Sequence, residues 1–200
     1  RGDNVNDLFD AKSLISNDEI DSWLIFRSNQ ATDEHLVKKQ INNIKPYESV
    51  ISKGIVNSKP KTITGGHVFF KIKDDSGIID CAAYEPTKEF RNIIRELIVG
   101  DEIIVYGGVR KNPLTINIEK INIINLKDKI VKIENPICPI CKKHMKSIGK
   151  NQGYRCKKCK TKNNEPNKKE IKRVINKGFY EVPVCARRHL SKPIKRMIEP

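Results

Sequence analysis

Four cysteines constrain this chain more than any other feature. They form Cys138-Pro-Ile-Cys141 and Cys156-Lys-Lys-Cys159, with fourteen residues between the pairs. Each pair lets one tight turn offer two thiolates. Two such turns joined by a short hairpin surround a single ion, with sulfur at about 2.3 Å from zinc. Gly149 and Gly153 suit the hairpin turn between them. The spacing predicts a zinc ribbon with Cys138, Cys141, Cys156 and Cys159 as ligands. Four protein ligands leave no open coordination position, so the ion is structural, not catalytic. His144 is the one other donor in the stretch that could replace a sulfur. The redox reading of CxxC needs a βαβ pattern around one pair, and none surrounds these. Disulfides in a secreted domain would accompany a basic-then-apolar leader, a pattern the N-terminal residues lack. Cys81 lies in an apolar run and reads as a buried thiol, and Cys185 has no spaced partner.

Charge divides the chain unevenly. The formal net charge is +15. Residues 1–128 carry 18 basic and 19 acidic side chains, residues 129–200 carry 21 and 5. A basic block of that density seeks a polyanion, nucleic acid first and an anionic membrane second. The tail has no amphipathic aromatic face, and no apolar run approaches the roughly 20 residues of a spanning helix, which disfavours the membrane. A merely solvated lysine-rich surface is the bland alternative. Thirty isoleucines supply real cores, so the chain is not a disordered polyampholyte. It begins with Arg1 and has only two Met, which reads as a piece of a longer protein, and a cytoplasmic location is expected.

The expected fold is α+β and mostly β: an incomplete α/β segment, a five-stranded OB barrel, then the zinc ribbon. In residues 1–47, Asn17 is expected to cap a short helix from Asp18, and Ser22–Arg27 reads as a strand. The polar run 27–35 past that strand end suits a ligand site of an open α/β sheet, or else a loop capped by Thr32. In residues 48–128, strands are expected at 49–56 (Gly54 allowing a bulge), 67–73, 78–84, 102–109 and 114–126, with a helix at 87–99 carrying Phe90, Ile93, Ile94 and Leu97 at helical spacing. Three strands, a helix and two strands match the OB order. His67, Phe69, Lys71 and Lys73 alternate with the apolar residues of their strand. A ring between cations suits base stacking with phosphate contact, although Phe69 could instead pack on a neighbouring domain. Tyr84 and Tyr106 are weaker candidates of the same kind. Residues 129–165 hold the ribbon, where Arg155, Lys157 and Lys158 offset the four thiolates and still reach a phosphate. Residues 166–200 form a basic tail, with a helix expected at 167–177. In it Arg187 and Arg188 suit phosphate forks and Lys192 adds a cation. No P-loop, nucleophile elbow, zincin motif or Rossmann fingerprint occurs, so the chain alone reads as a binding module.

Four motifs in this order resemble a known family. They are Arg27-Ser28-Asn29-Gln30-Ala31-Thr32-Asp33-Glu34-His35-Leu36, Gly65-Gly66-His67-Val68-Phe69-Phe70, the two CxxC pairs, and Ala186-Arg187-Arg188-His189-Leu190-Ser191-Lys192-Pro193. Together they are similar to the C-terminal half of the archaeal tRNA-isoleucine agmatidine synthetases. The resemblance covers nearly the whole chain. It implies an ATP-dependent ligase that attaches agmatine to C2 of the wobble cytidine in a CAU-anticodon isoleucine tRNA, through phosphorylation of the C2 oxygen. It also implies that residues 1–47 end a ferredoxin-like domain that helps bind agmatine, and that ATP and Mg²⁺ bind a preceding half. The OB domain, ribbon and tail would hold the tRNA. Asp33 and Glu34 are the carboxylates placed for agmatine's cationic ends. On this reading the chain binds tRNA without modifying it. The competing reading is a single-stranded DNA-binding OB and zinc-ribbon protein. A zinc-stabilised scaffold for an acidic protein is the third.

Overall fold

The computed structural model describes residues 2, 4–15, 20–150 and 152–197. Helix α1 (Val5–Ser13) starts at Asn4, whose side chain accepts the Asn6 N–H at 2.9 Å. None of its residues is buried; Phe9 meets the Trp23 ring edge-on at 4.9 Å. The helix cap expected at Asn17 and Asp18 lies outside the described residues. The strand expected at Ser22–Arg27 does not form: these residues have no ladder partner among the described residues, and Leu24 and Phe26 are 72% and 76% exposed. Strand propensity alone is not enough, because a strand is stabilised by its neighbours.

The barrel follows. Strand β1 (Val37–Lys38) runs parallel to β2 (Ser49–Val56) and leads into it through a 3₁₀ turn at Ile41–Asn43. Strand β3 (Lys61–Thr62) pairs with β4 (Val68–Lys73), which pairs with β5 (Ile78–Ala83). Helix α2 (Phe90–Arg95) precedes β6 (Glu102–Arg110) and β7 (Thr115–Asn125). The hydrogen-bonded circuit β2–β6–β7–β5–β4–β2 closes, with β5 and β7 parallel, as an OB barrel requires. Alternation puts Val68, Phe70 and Ile72 inside and Phe69, Lys71 and Lys73 outside. Phe90 and Ile94 from α2, and Leu97 just after it, complete the core. The helix is shorter than the periodicity suggests: a 3₁₀ turn takes Glu85–Thr87, Lys88 interrupts the backbone at a positive φ of 46°, and the helix ends at Arg95. Gly54 stands within an unbroken β2–β6 register instead of a bulge; a Cβ there would lie 2.9 Å from the Lys73 carbonyl oxygen. Register shifts fall instead in β6 against β7, at Glu102/Ile103 and at Tyr106/Gly107, where a Gly107 Cβ would collide with the Asn117 carbonyl.

Beyond the barrel, β8 (Lys129–Glu134) climbs away and returns as β12 (Asn167–Ile171), a two-stranded antiparallel stalk. Between them lies the head: β9 (Lys146–Ser147), β10 (Tyr154–Arg155) and β11 (Lys162–Asn163). The helix expected at 167–177 is therefore a strand and a loop. Lysine-rich sequence has fair helix propensity, but the ladder to β8 satisfies the same backbone groups and wins. Strand β13 (Gly178–Glu181) then rejoins the barrel, antiparallel to β7. The tail is thus a further strand of the barrel sheet.

Candidate nucleic-acid interface and zinc site

In the head, the sulfurs of Cys138, Cys141, Cys156 and Cys159 all lie within 4.8 Å of one another, and those of Cys141 and Cys156 are 3.5 Å apart. A tetrahedron of sulfurs at about 2.3 Å from its centre has edges of about 3.8 Å. Zinc fits this set by size and by donor chemistry. Both turns are built alike. The Lys142 and Lys160 amides donate to the Cys138 and Cys156 carbonyls at 3.0 Å, and both lysines sit at positive φ, 56° and 62°. Turn amides, led by that of Cys141, draw the Cys138 thiol down to about 6, and the Cys159 amide draws Cys156 down. Its hydrogen bond to Cys141 pushes Cys159 up to about 12. Met145 is buried beneath the turns with Tyr154 beside it. His144 is exposed, with Nδ1 3.4 Å from the Asn135 carbonyl oxygen and 3.9 Å from Glu134, and it stands apart from the four sulfurs. Arg155, Lys157 and Lys158 point to solvent around the second turn.

On the barrel, the Gly65-Gly66 turn is tied down by Arg91, whose Nη1 donates to the Gly66 carbonyl at 2.6 Å. That fixes His67, whose Nδ1 accepts the Glu85 N–H at 2.9 Å. Tyr84 stands edge-on to His67 at 5.2 Å and to Phe69 at 5.9 Å. Arg110 donates to the Tyr84 hydroxyl at 3.3 Å. Lys71 extends from the same face, 3.6 Å from Asp80, with Lys73 exposed beyond it. His67, Phe69, Lys71 and Lys73 thus form one surface, and Tyr84 and Arg110 join it. Tyr106 does not: it is buried between Phe179 at 6.1 Å and the Lys120 ammonium at 5.5 Å.

The first and last motifs meet. The Ala31 amide donates to the His189 carbonyl at 2.9 Å and the Asp33 amide to the Leu190 carbonyl at 3.0 Å. Asp33 Oδ1 accepts the Lys192 N–H at 2.7 Å, and Oδ2 pairs with Lys120 Nζ at 2.6 Å. Thr32 Oγ1 accepts the Glu34 N–H, as a capping residue does, and the Glu34 side chain is exposed. Arg187 pairs with Glu181 at 3.4 Å; Arg188 pairs with Glu119 at 2.5 Å and donates to Ser49 Oγ at 3.0 Å. Burial, with Arg188 close by, lowers the His35 pKa, and burial raises that of Glu119. Two residues here escape sequence reasoning. Lys120 is fully buried, and its only signal is a charge interrupting the isoleucines of β7. Arg173 forks both oxygens of buried Asp101 at 2.8 Å and donates to the Lys127 and Glu96 carbonyls, anchoring the stalk.

Comparison with known proteins matches this layout. Residues 135–175 fit the TiaS C-terminal zinc ribbon domain, and residues 50–124 an OB-fold nucleic acid binding domain. The isoleucine-tRNA 2-agmatinylcytidine synthetases TiaS of Archaeoglobus fulgidus and Methanocaldococcus jannaschii are 46% and 50% identical to it, each over 98% of this chain. Over nearly its whole length the chain is similar to the TiaS isoleucine-tRNA 2-agmatinylcytidine synthetases. It spans about half the length of these curated relatives, 46% of each. Among solved members of the family, apo TiaS superposes with a TM-score of 0.70 at 46% identity, covering 98% of this chain and 47% of that one. The complex of TiaS with isoleucine tRNA and ATP gives 0.77 at 44% identity, covering all of this chain and 46% of that one.

Proposed function

We propose that this chain is the tRNA-holding C-terminal half of an ATP-dependent ligase that attaches agmatine to C2 of the wobble cytidine of a CAU-anticodon isoleucine tRNA. The observation that carries the reading is the pairing, in one chain, of an aromatic barrel face set among cations with a zinc head bearing Arg155, Lys157 and Lys158. The relative solved with isoleucine tRNA and ATP supports it. Phe69, Tyr84 and His67 offer rings for an unstacked base, while Lys71, Lys73 and Arg110 take phosphates. Zinc holds the head's two turns together and takes no part in the chemistry. Arg187, Arg188 and Lys192 add cations at the tail, where each arginine is shared between its glutamate and any phosphate it meets. ATP and Mg²⁺ belong to the half that precedes this one in the family, and the protein works in the cytoplasm. Of the two carboxylates, Glu34 is exposed and supplies negative charge toward agmatine, while Asp33 pairs inward with Lys120.

The test is competition binding at physiological salt, where nonspecific contacts are weakened. The competitors are isoleucine tRNA with a CAU anticodon, an unrelated tRNA and single-stranded DNA of equal length. The cognate tRNA is expected to win, or both tRNAs to tie and beat DNA. DNA matching the tRNAs would favour the single-stranded DNA-binding alternative. Affinity indifferent to salt would point to an acidic protein partner instead.

A further inference from the structure

The run from Arg27 to Leu36 looks like a ligand loop by its polarity, yet its central carboxylate faces inward. Asp33 is 12% exposed and has both oxygens engaged, one by Lys120 and one by the Lys192 amide. Lys120 is completely buried. Its ammonium also donates to the Lys192 carbonyl at 2.7 Å and lies over the Tyr106 ring. One lysine of the barrel therefore binds the N-terminal loop and the C-terminal tail at a single point. Two backbone hydrogen bonds, from Ala31 and Asp33 to the tail, complete the clasp. Both donors lie at positive φ, 58° and 63°, a conformation that needs support from its surroundings. With Asp33 turned inward, Arg27, Ser28, Asn29 and Glu34 are left outward.

We infer that Lys120 and Asp33 are positioning residues: a buried clasp by which the C-terminal tail sets the loop that presents Glu34 to the cationic substrate. Asp33 acts through Lys120 and the tail and does not touch that substrate. The substrate half of this inference rests on the proposed function; the clasp itself does not.

The experiment separates the two. Removing one partner of a buried ion pair leaves an uncompensated charge, whereas removing both charges is far less costly. Asparagine tolerates the left-handed backbone of position 33. In this chain, Lys120→Met and Asp33→Asn are each expected to speed hydrogen exchange at the Ala31 and Asp33 amides by about a hundredfold or more. The double variant is expected to return to within about tenfold of the parent, a strongly non-additive result. In the full-length enzyme, Lys120→Met is expected to raise the agmatine KM about tenfold or more with kcat within about threefold, and the double variant to restore KM. Unchanged exchange in both single variants would overturn the clasp. A double variant with restored protection but a still-raised KM would overturn the positioning role, because Asp33 would then contact agmatine itself. A full-length protein with no agmatine-dependent reaction would sink the functional reading, while the exchange rates would still decide the clasp.

Discussion

At the residue scale, the buried charges are the most informative groups. Asp101 is fully buried and accepts four hydrogen bonds: two from Arg173, one from the Ile98 amide and one from the Lys127 amide. Its carboxylate is satisfied only while Arg173 is present. Arg173→Ala is expected to cost about 3–5 kcal/mol in urea unfolding. Arg173→Lys is expected to recover only part of this, since a point-charge ammonium cannot fork both oxygens. A loss under about 1 kcal/mol for the alanine variant would mean that the stalk is held by something else. From sequence, Arg173 is one cation among 21 in residues 129–200. Its partner lies 72 positions away, and only folding brings the two together.

At the element scale, the stretches legible in the sequence are those whose pattern is enforced locally. The β4 alternation decides its own two faces, and the cysteine spacing decides the knuckles. Asn167–Ile171 defeats a local reading because a strand there depends on Lys129–Glu134, 33 to 42 residues earlier, as a ladder partner. The head has little core of its own: Cys138, Met145 and Cys156, with Cys141, Tyr154 and Cys159 packed against them. Such a unit folds through its metal. A zinc chelator is expected to collapse the amide signals of residues 136–163 while the barrel strands keep their protection, followed by NMR hydrogen exchange. One joint transition of head and barrel would mean that the stalk couples the two.

At the scale of the whole molecule, exposed cations stand on the barrel face, at the tail junction, along the stalk (Lys132, Lys168, Lys169) and on the head. Many have local acidic partners, such as Lys71 with Asp80, Arg187 with Glu181 and Arg188 with Glu119. Arg155, Lys157 and Lys158 are exposed on the head. They are therefore expected to carry a share of the salt-dependent part of the proposed tRNA binding. Replacing all three by alanine is expected to lower the slope of log affinity against log salt by about 2, at roughly 0.7–0.9 per phosphate contact. An unchanged slope would move the phosphate contacts to the barrel and tail.

Spacing and periodicity alone specified the four-cysteine cluster, the OB strand order and the concentration of positive charge after residue 128. Each depends on spacing or periodicity within a few residues to a few tens of residues, where backbone geometry translates pattern directly into position. The tertiary structure alone decided that the tail is a barrel strand, that Tyr106 is interior, and that Asp33 faces Lys120. These outcomes follow from pairing between distant segments. There the cost of leaving a buried charge or a sheet edge unsatisfied, not any local preference, selects the arrangement.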